Sequence, residues 1–169
     1  LHHLVAEILD NSMDEAVAGH ASYISINVDE NFIVTITDNG RGIPVDPHPK
    51  QKDKSALEVI MTTLHSGGKF SGKVYETSGG LHGVGLSVVN ALSDYLKIEV
   101  ARNQVLWTQS YSRGVPKTKL LNAGKISNRR GTSIEFHADP LIFGKKAYFN
   151  PKTIYRMARS KAYLFRGVE

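Results

Sequence analysis

Residues 78–90, SGGLHGVGLSVVN, crowd four glycines into seven positions and then carry none. The residues that follow, Val84, Leu86, Val88, Val89, Ala91 and Leu92, have helical spacing. Glycine lets other groups approach the backbone closely and admits positive φ. A helix start presents unpaired N–H groups and a partial positive charge. Together they suit an anion, most often phosphate. The spacing here is G-x-x-G-x-G, at Gly80, Gly83 and Gly85. It is neither the P-loop nor the dinucleotide fingerprint, and by itself a surface loop explains it equally well.

Two further clusters could do chemistry. In DNGRGIP (38–44), Asp38 could accept the exocyclic N–H of an adenine, with glycines letting a flat ligand lie against the chain. A charge-assisted bond of that kind contributes roughly 1.5–3 kcal/mol. The plain alternative is a turn capped by Asp38. On the first helix, Glu7 and Asn11 stand four apart and so share a side, with Glu15 one turn on. The amide oxygen of Asn11 could hold Mg²⁺, an ion that takes few protein ligands plus phosphates. Glu7 could then take the proton of a water attacking a γ-phosphate. The alternative is a solvated helix face. The seven histidines form no metal-ligand pattern, Trp107 reads as a strand residue, and RMARSKAYLFR (156–166) reads as a solvated basic face.

These residues need elements to position them. Apolar spacing predicts a helix over 2–18, with Leu4, Val5, Ile8, Leu9, Met13, Ala16 and Val17 on its apolar positions. Alternation in SYISINVDENFIVTITD predicts a β-hairpin. Residues 38–54 read as a loop; Ser55 and Glu58 read as a capping box opening a helix with Leu57, Ile60, Met61 and Leu64 inward. Residues 67–85 read as a mobile loop. Strands are expected at 95–102, 104–112 and 131–137, and one more within 115–120. Asn150-Pro151 opens a last helix, with Ile154, Met157, Ala158, Ala162 and Phe165 inward. The order predicts an α+β fold: a mixed or antiparallel sheet with helices mainly on one face.

Composition narrows the function classes. The 169 residues are enough for one domain with its own core. No apolar run approaches the ~20 residues of a membrane span, no signal-peptide pattern occurs, and there is no cysteine for a disulfide or thiolate site. The expectation is a cytoplasmic protein with no membrane partner. The net charge of +5 permits nucleic acid as a partner, so a basic nucleic-acid-binding module is a competing reading.

Taken together and in order, EILDNSMDEA (7–16), DNGRGIP (38–44), SGGLHGVG (78–85) and GT (131–132) resemble the N-terminal ATPase domain of bacterial type IIA topoisomerases. These belong to the gyrase, Hsp90, histidine kinase and MutL superfamily. GGLHGVG with SVVNALS, and HHLVAEILDNSMDEAVAGH, look like the topoisomerase branch rather than Hsp90 or MutL. DNGRGIPVDPHPK, KVYETSGGLHG and FHADPLIFG look closer to topoisomerase IV B subunits of the α-proteobacterial type than to gyrase B subunits.

The resemblance implies a two-layer Bergerat fold over residues 1–169, with ATP and Mg²⁺ as cofactors. It implies that Glu7 is the general base and Asn11 the Mg²⁺ ligand. Asp38 reads adenine, helped by Thr132. Glu15 and Arg41 form a salt bridge at the pocket mouth. Gly42, Ile43 and Pro44 line the wall and rim, where competitive inhibitors also bind. Gly80, Leu81, His82, Gly83, Val84, Gly85 and Leu86 wrap the triphosphate. It further implies a B-subunit homodimer closing on ATP, an A subunit and DNA as partners, and decatenation or relaxation as the outcome. An N-terminal arm before Leu1 and a transducer domain after Glu169 are expected, so that residues 1–169 bind nucleotide but turn it over poorly. Many gyrase chains have Asp-Asp before Gly-Arg-Gly; Asn39 stands here in place of the second, with little effect expected.

Overall fold

The computed structural model describes residues 1–64 and 85–169. The amphipathic first segment forms α1 (His2–Val17), burying Leu4, Val5, Ile8, Leu9 and Met13, while Val17 is exposed. The hairpin follows as β1 (Ile24–Val28) and β2 (Val34–Asp38). Then come α2 (Ala56–Thr62), α3 (Gly85–Ala91), β3 (Ser93–Arg102) and β4 (Val105–Ser112). A short β5 (Val115–Pro116), β6 (Leu121–Lys125), β7 (Gly131–Ala138), α4 (Pro140–Phe143) and α5 (Pro151–Leu164) complete the chain.

The sheet runs β1-β2-β7-β3-β4-β5, with β6 also on β4, and every pairing among the described residues is antiparallel. Registers align the inward side chains into rows. Val28, Val34, Phe136, Leu96 and Tyr111 form one row; Ile26, Ile36, Ile134, Ile98 and Gln109 form the next. A third row starts at Ile24 and Asp38 on β1–β2 and carries Thr132, Val100 and Trp107 on the strands beyond. The helices cover this face: α1 packs on β2 and α3, α3 on β3 and β4, and α5 on α1. The α5 entry is pinned by Phe149, edge-on to both Phe136 and His2 at 5.8 Å. This is the expected two-layer α+β fold.

Local details depart from the sequence reading. Ser55 caps α2 by accepting the Glu58 N–H at 3.0 Å. The Glu58 carboxylate does not complete the box; it accepts the Gln109 amide at 2.8 Å, because Gln109 is fully buried and needs a partner. Helix α2 stops at Thr62, leaving Leu64 61% exposed, while Val59 is buried in its stead. The expected strand within 115–120 shrinks to two residues, and β6 takes the edge of β4 after it. On α5 only Ile154 is fully buried; Ala162, and Phe165 at the C-cap, are exposed instead of facing inward. No helix among the described residues is long and apolar enough to cross a membrane.

Candidate nucleotide site

The third inward row turns polar at Asp38, the last residue of β2. Asp38 is only 3% exposed. Its Oδ2 accepts the Ser12 hydroxyl at 3.1 Å, and its Oδ1 accepts the backbone N–H of Gly40 at 2.9 Å and of Thr132 at 3.3 Å. Burial pushes the Asp38 carboxyl above the ordinary carboxylate range, against the opposing pull of those three hydrogen bonds. A buried carboxylate held by α1, the 38–44 loop and β7 is a fixed acceptor for a ligand N–H.

The turn after Asp38 is built around missing side chains. A Cβ on Gly40 would fall 2.8 Å from Glu15 Oε2 and 3.0 Å from Asp38 Oδ1. Gly42 has φ +80, and a Cβ there would meet Val100 at 2.9 Å. Ile43 is buried, and its N–H donates to the Thr132 hydroxyl at 3.2 Å; Pro44 follows, half-buried. Asn39 points away from Asp38: its Oδ1 accepts the N–H groups of Ser22 and Tyr23 at 2.8 and 3.0 Å. Asn39 therefore serves the β1 entry and leaves the Asp38 carboxylate unhindered.

Glu15 and Arg41 meet as expected from the resemblance. Glu15 Oε2 accepts the backbone N–H and Nε of Arg41 at 2.9 and 3.2 Å, and Oε1 accepts Nη2 at 2.8 Å. Burial raises the Glu15 carboxyl, but the Arg41 hydrogen bonds and charge outweigh it and hold it below the ordinary range.

On the same helix, Glu7 and Asn11 are half-buried, and the Asn11 side chain has no hydrogen bond among the described residues. Gly85, the first residue of α3, lies so close that a Cβ would fall 2.3 Å from Glu7 Oε2. The start of the helix behind the glycine run thus abuts the Glu7 carboxylate. Leu86 is buried in the core. Gly80, Leu81, His82, Gly83 and Val84 lie outside the described residues. No cluster of three or more His, Asp or Glu that could hold a metal occurs among the described residues.

Sequence reasoning missed several supports. Ser12 sits beside Asn11 with nothing in its spacing to mark it. Gly40 lies within DNGRGIP, but nothing in the motif shows that Glu15 leaves no room for a side chain there. Gly131 has φ +109, and a Cβ there would fall 2.0 Å from the Asp38 carbonyl oxygen; its pairing with Thr132 in the GT motif was the available signal. Arg102 donates to the Gly42 carbonyl at 2.7 Å, and Arg130 to the Asn39 and His20 carbonyls at 2.9 and 2.8 Å. These arginines fix the loop backbone from distant parts of the chain.

A helix-backed antiparallel sheet carries a buried carboxylate at the end of its second strand and a carboxylate–amide pair on the first helix, an arrangement that could seat a nucleotide. The chain belongs to the histidine kinase-, DNA gyrase B- and HSP90-like ATPase family, whose model matches residues 1–141. It is 62% identical over its whole length to the B subunit of DNA topoisomerase 4 from Bartonella bacilliformis, covering 24% of that protein. It is 63% identical over 99% of its length to the protein of the same name from Rickettsia prowazekii, covering 25% of it. The B subunit of DNA gyrase from Staphylococcus epidermidis is 48% identical over the whole chain, which covers 26% of it. Among solved structures, the 43K ATPase domain of Thermus thermophilus gyrase B, in complex with an aminocoumarin, superposes with a TM-score of 0.84 at 41% identity. That match covers 99% of this chain and 41% of the other. The chain thus spans about a quarter of the length of these curated relatives.

Proposed function

We propose that this is the ATP-binding domain of a topoisomerase IV B subunit, whose ATP-driven dimer closure serves strand passage between DNA duplexes. The observation that carries the choice within the family is the 62% identity to a topoisomerase 4 chain against 48% to a gyrase chain. Gyrase B, with supercoiling as outcome, is the alternative.

In this reading Asp38 accepts the adenine amino group, with Ser12, Gly40 and Thr132 fixing the carboxylate. Ile43 and Pro44 supply the apolar wall, where competitive inhibitors would also sit. The Glu15–Arg41 pair closes the mouth. Residues 80–86 give backbone N–H groups to the phosphates. Glu7 takes the proton of the attacking water, a role typically contributing 10²–10⁴-fold. An amide oxygen one helical turn from a carboxylate is a hard-oxygen donor set, which fits Mg²⁺; Asn11 would hold the ion. When bound, Mg²⁺ neutralises charge on the phosphate oxygens. The A subunit, DNA, a second copy of the B subunit, a cytoplasmic setting, and arm and transducer segments flanking a single domain of residues 1–169 belong to the same proposal.

The test is the full-length protein assembled with its A subunit. ATP-dependent decatenation without supercoiling supports the reading; negative supercoiling shifts it to gyrase. No nucleotide-dependent thermal stabilisation of the 169-residue chain would overturn it.

A further inference from the structure

The last helix carries a charge distribution that the nucleotide site does not use. Seven of the 21 basic residues and none of the 16 acidic ones fall between 140 and 168, which leaves the rest of the chain net −2. On α5, Lys152, Arg156 and Arg159 fall within a sector of about 60° at 100° per residue. All three are exposed. The opposite side holds Ile154, buried, and Lys161, which pairs with Asp10 on α1. Among the described residues Lys145, Lys146, Lys152, Arg156, Arg159 and Arg166 have no acidic partner.

An ordinary solvated helix face mixes signs in i,i+4 pairs; like charges at 152/156 and 156/159 instead oppose the helix by roughly 0.2–0.5 kcal/mol each. A polyanion removes that repulsion. Tyrosines interleave the cations: Tyr155 and Tyr163 are 65% and 72% exposed. Arg159 lies 5.3 Å from the Tyr163 ring centroid and donates to its hydroxyl at 3.0 Å. Pro151, Lys152, Tyr155 and Arg156 line a shallow hollow on this side. Phenol and guanidinium groups are common phosphate donors in nucleic-acid interfaces.

We infer that this face of α5 is a docking surface for the sugar–phosphate backbone of duplex DNA, located on the ATPase domain itself. The choice of DNA among polyanions rests on the topoisomerase reading; the charge asymmetry does not. A 14-residue helix is about 21 Å long, and duplex DNA offers about one phosphate charge per 1.7 Å of axis, so about twelve charges lie within its reach. DNA is favoured over a lipid surface by the tyrosines interleaved with the cations; Leu164 and Phe165 at the end of α5 are exposed, so vesicle binding is kept as an outcome of the test.

The test is fluorescence anisotropy of the 169-residue chain with a labelled 25-base-pair duplex across a salt series. Binding independent of sequence is expected, with affinity falling steeply in salt. Lys152→Gln/Arg156→Gln/Arg159→Gln should flatten the log–log salt slope by about 2.7 and weaken binding by more than about tenfold at 50 mM salt. Single variants Arg156→Gln and Arg159→Gln, each flattening the slope by about 0.9, serve if the triple variant does not fold. Lys117→Gln/Lys119→Gln/Lys125→Gln removes the same charge from β5–β6 and should flatten it far less. Absence of duplex binding at 50 mM salt, equal losses in both triple variants, or preferential binding to phosphatidylserine vesicles overturns the inference. A fluorescent ATP analogue, titrated in parallel, should bind the α5 triple variant as it binds the parent. Failure of that analogue to bind the parent chain counts against the ATPase reading, while the anisotropy result judges the DNA face.

Discussion

Thr132 grips Asp38 and Ile43 at once: its backbone N–H donates to Asp38 Oδ1 at 3.3 Å while its hydroxyl accepts the Ile43 N–H at 3.2 Å. One residue of β7 therefore sets the distance between the carboxylate assigned to the base and the wall assigned to its face. That carboxylate is buried, and burial works against its charged form.

Replacing that charge should trade function for stability. In Asp38→Asn the amide oxygen can keep the Gly40 and Thr132 N–H groups and the amide nitrogen can donate to Ser12. The charge, and the acceptor at Oδ2 that the amide nitrogen replaces, are what is lost. Nucleotide affinity should fall by about 10- to 100-fold, read by calorimetry with a non-hydrolysable ATP analogue. Because burial raises the folded-state pKa of Asp38, the folded state holds its proton more tightly than the unfolded state. Stability from this group is thus lost as pH rises from the unfolded value through the folded one. Asp38→Asn should remove that loss and raise Tm at pH 7 by roughly 2–4 °C, a shift worth about 1 kcal/mol.

Glu15 titrates in the opposite sense. Its folded pKa is depressed by Arg41, so its contribution is present above the unfolded value near 4.5 and disappears as pH falls through the folded one. Arg41→Ala should destabilise the domain by about 1–3 kcal/mol at pH 7, since Glu15 is left part-buried without its partner. Denaturant melts should show the gap between parent and variant closing as pH falls below the unfolded value near 4.5 and through the depressed folded one. A gap that stays constant with pH would remove the pair from the acid response.

Gly85 and Glu7 should be separable by kinetics. Gly85→Ala places a methyl where the Glu7 carboxylate lies, 2.3 Å from Oε2. It should lower ATP turnover of the full-length assembly at least about tenfold by displacing the proposed base, and Glu7→Gln should lower it by about 10²-fold or more. Both variants should still bind the ATP analogue. Normal turnover in Glu7→Gln would end the general-base assignment.

Gly131→Ala tests the backbone contact beneath Asp38. The new methyl would fall 2.0 Å from a backbone carbonyl oxygen, at a φ of +109 that side chains avoid. Both β2 and β7 would have to shift, so a loss of more than about 2 kcal/mol is expected in urea unfolding. Gly124→Ala has φ +108 but no neighbour within 4 Å, and should lose less; equal losses would assign the effect to φ alone.

Local chemistry was legible from the chain. Apolar spacing marked α1, alternation marked the β1–β2 hairpin, and Asn150-Pro151 marked the start of α5, because each depends on residues within a turn or two. The order of the motifs marked the family. What the sequence could not display were contacts closed across the fold. Ser12 and Thr132 reach Asp38 over separations of 26 and 94 residues, and Arg130 reaches His20 over 110. The fate of Glu58, drawn from its helix cap to Gln109, depended on a buried amide on β4, 51 residues away. Residue type and spacing determined which groups could do chemistry; the antiparallel register decided which of them met, because only the closed sheet brings β2, β7 and α1 to the same carboxylate.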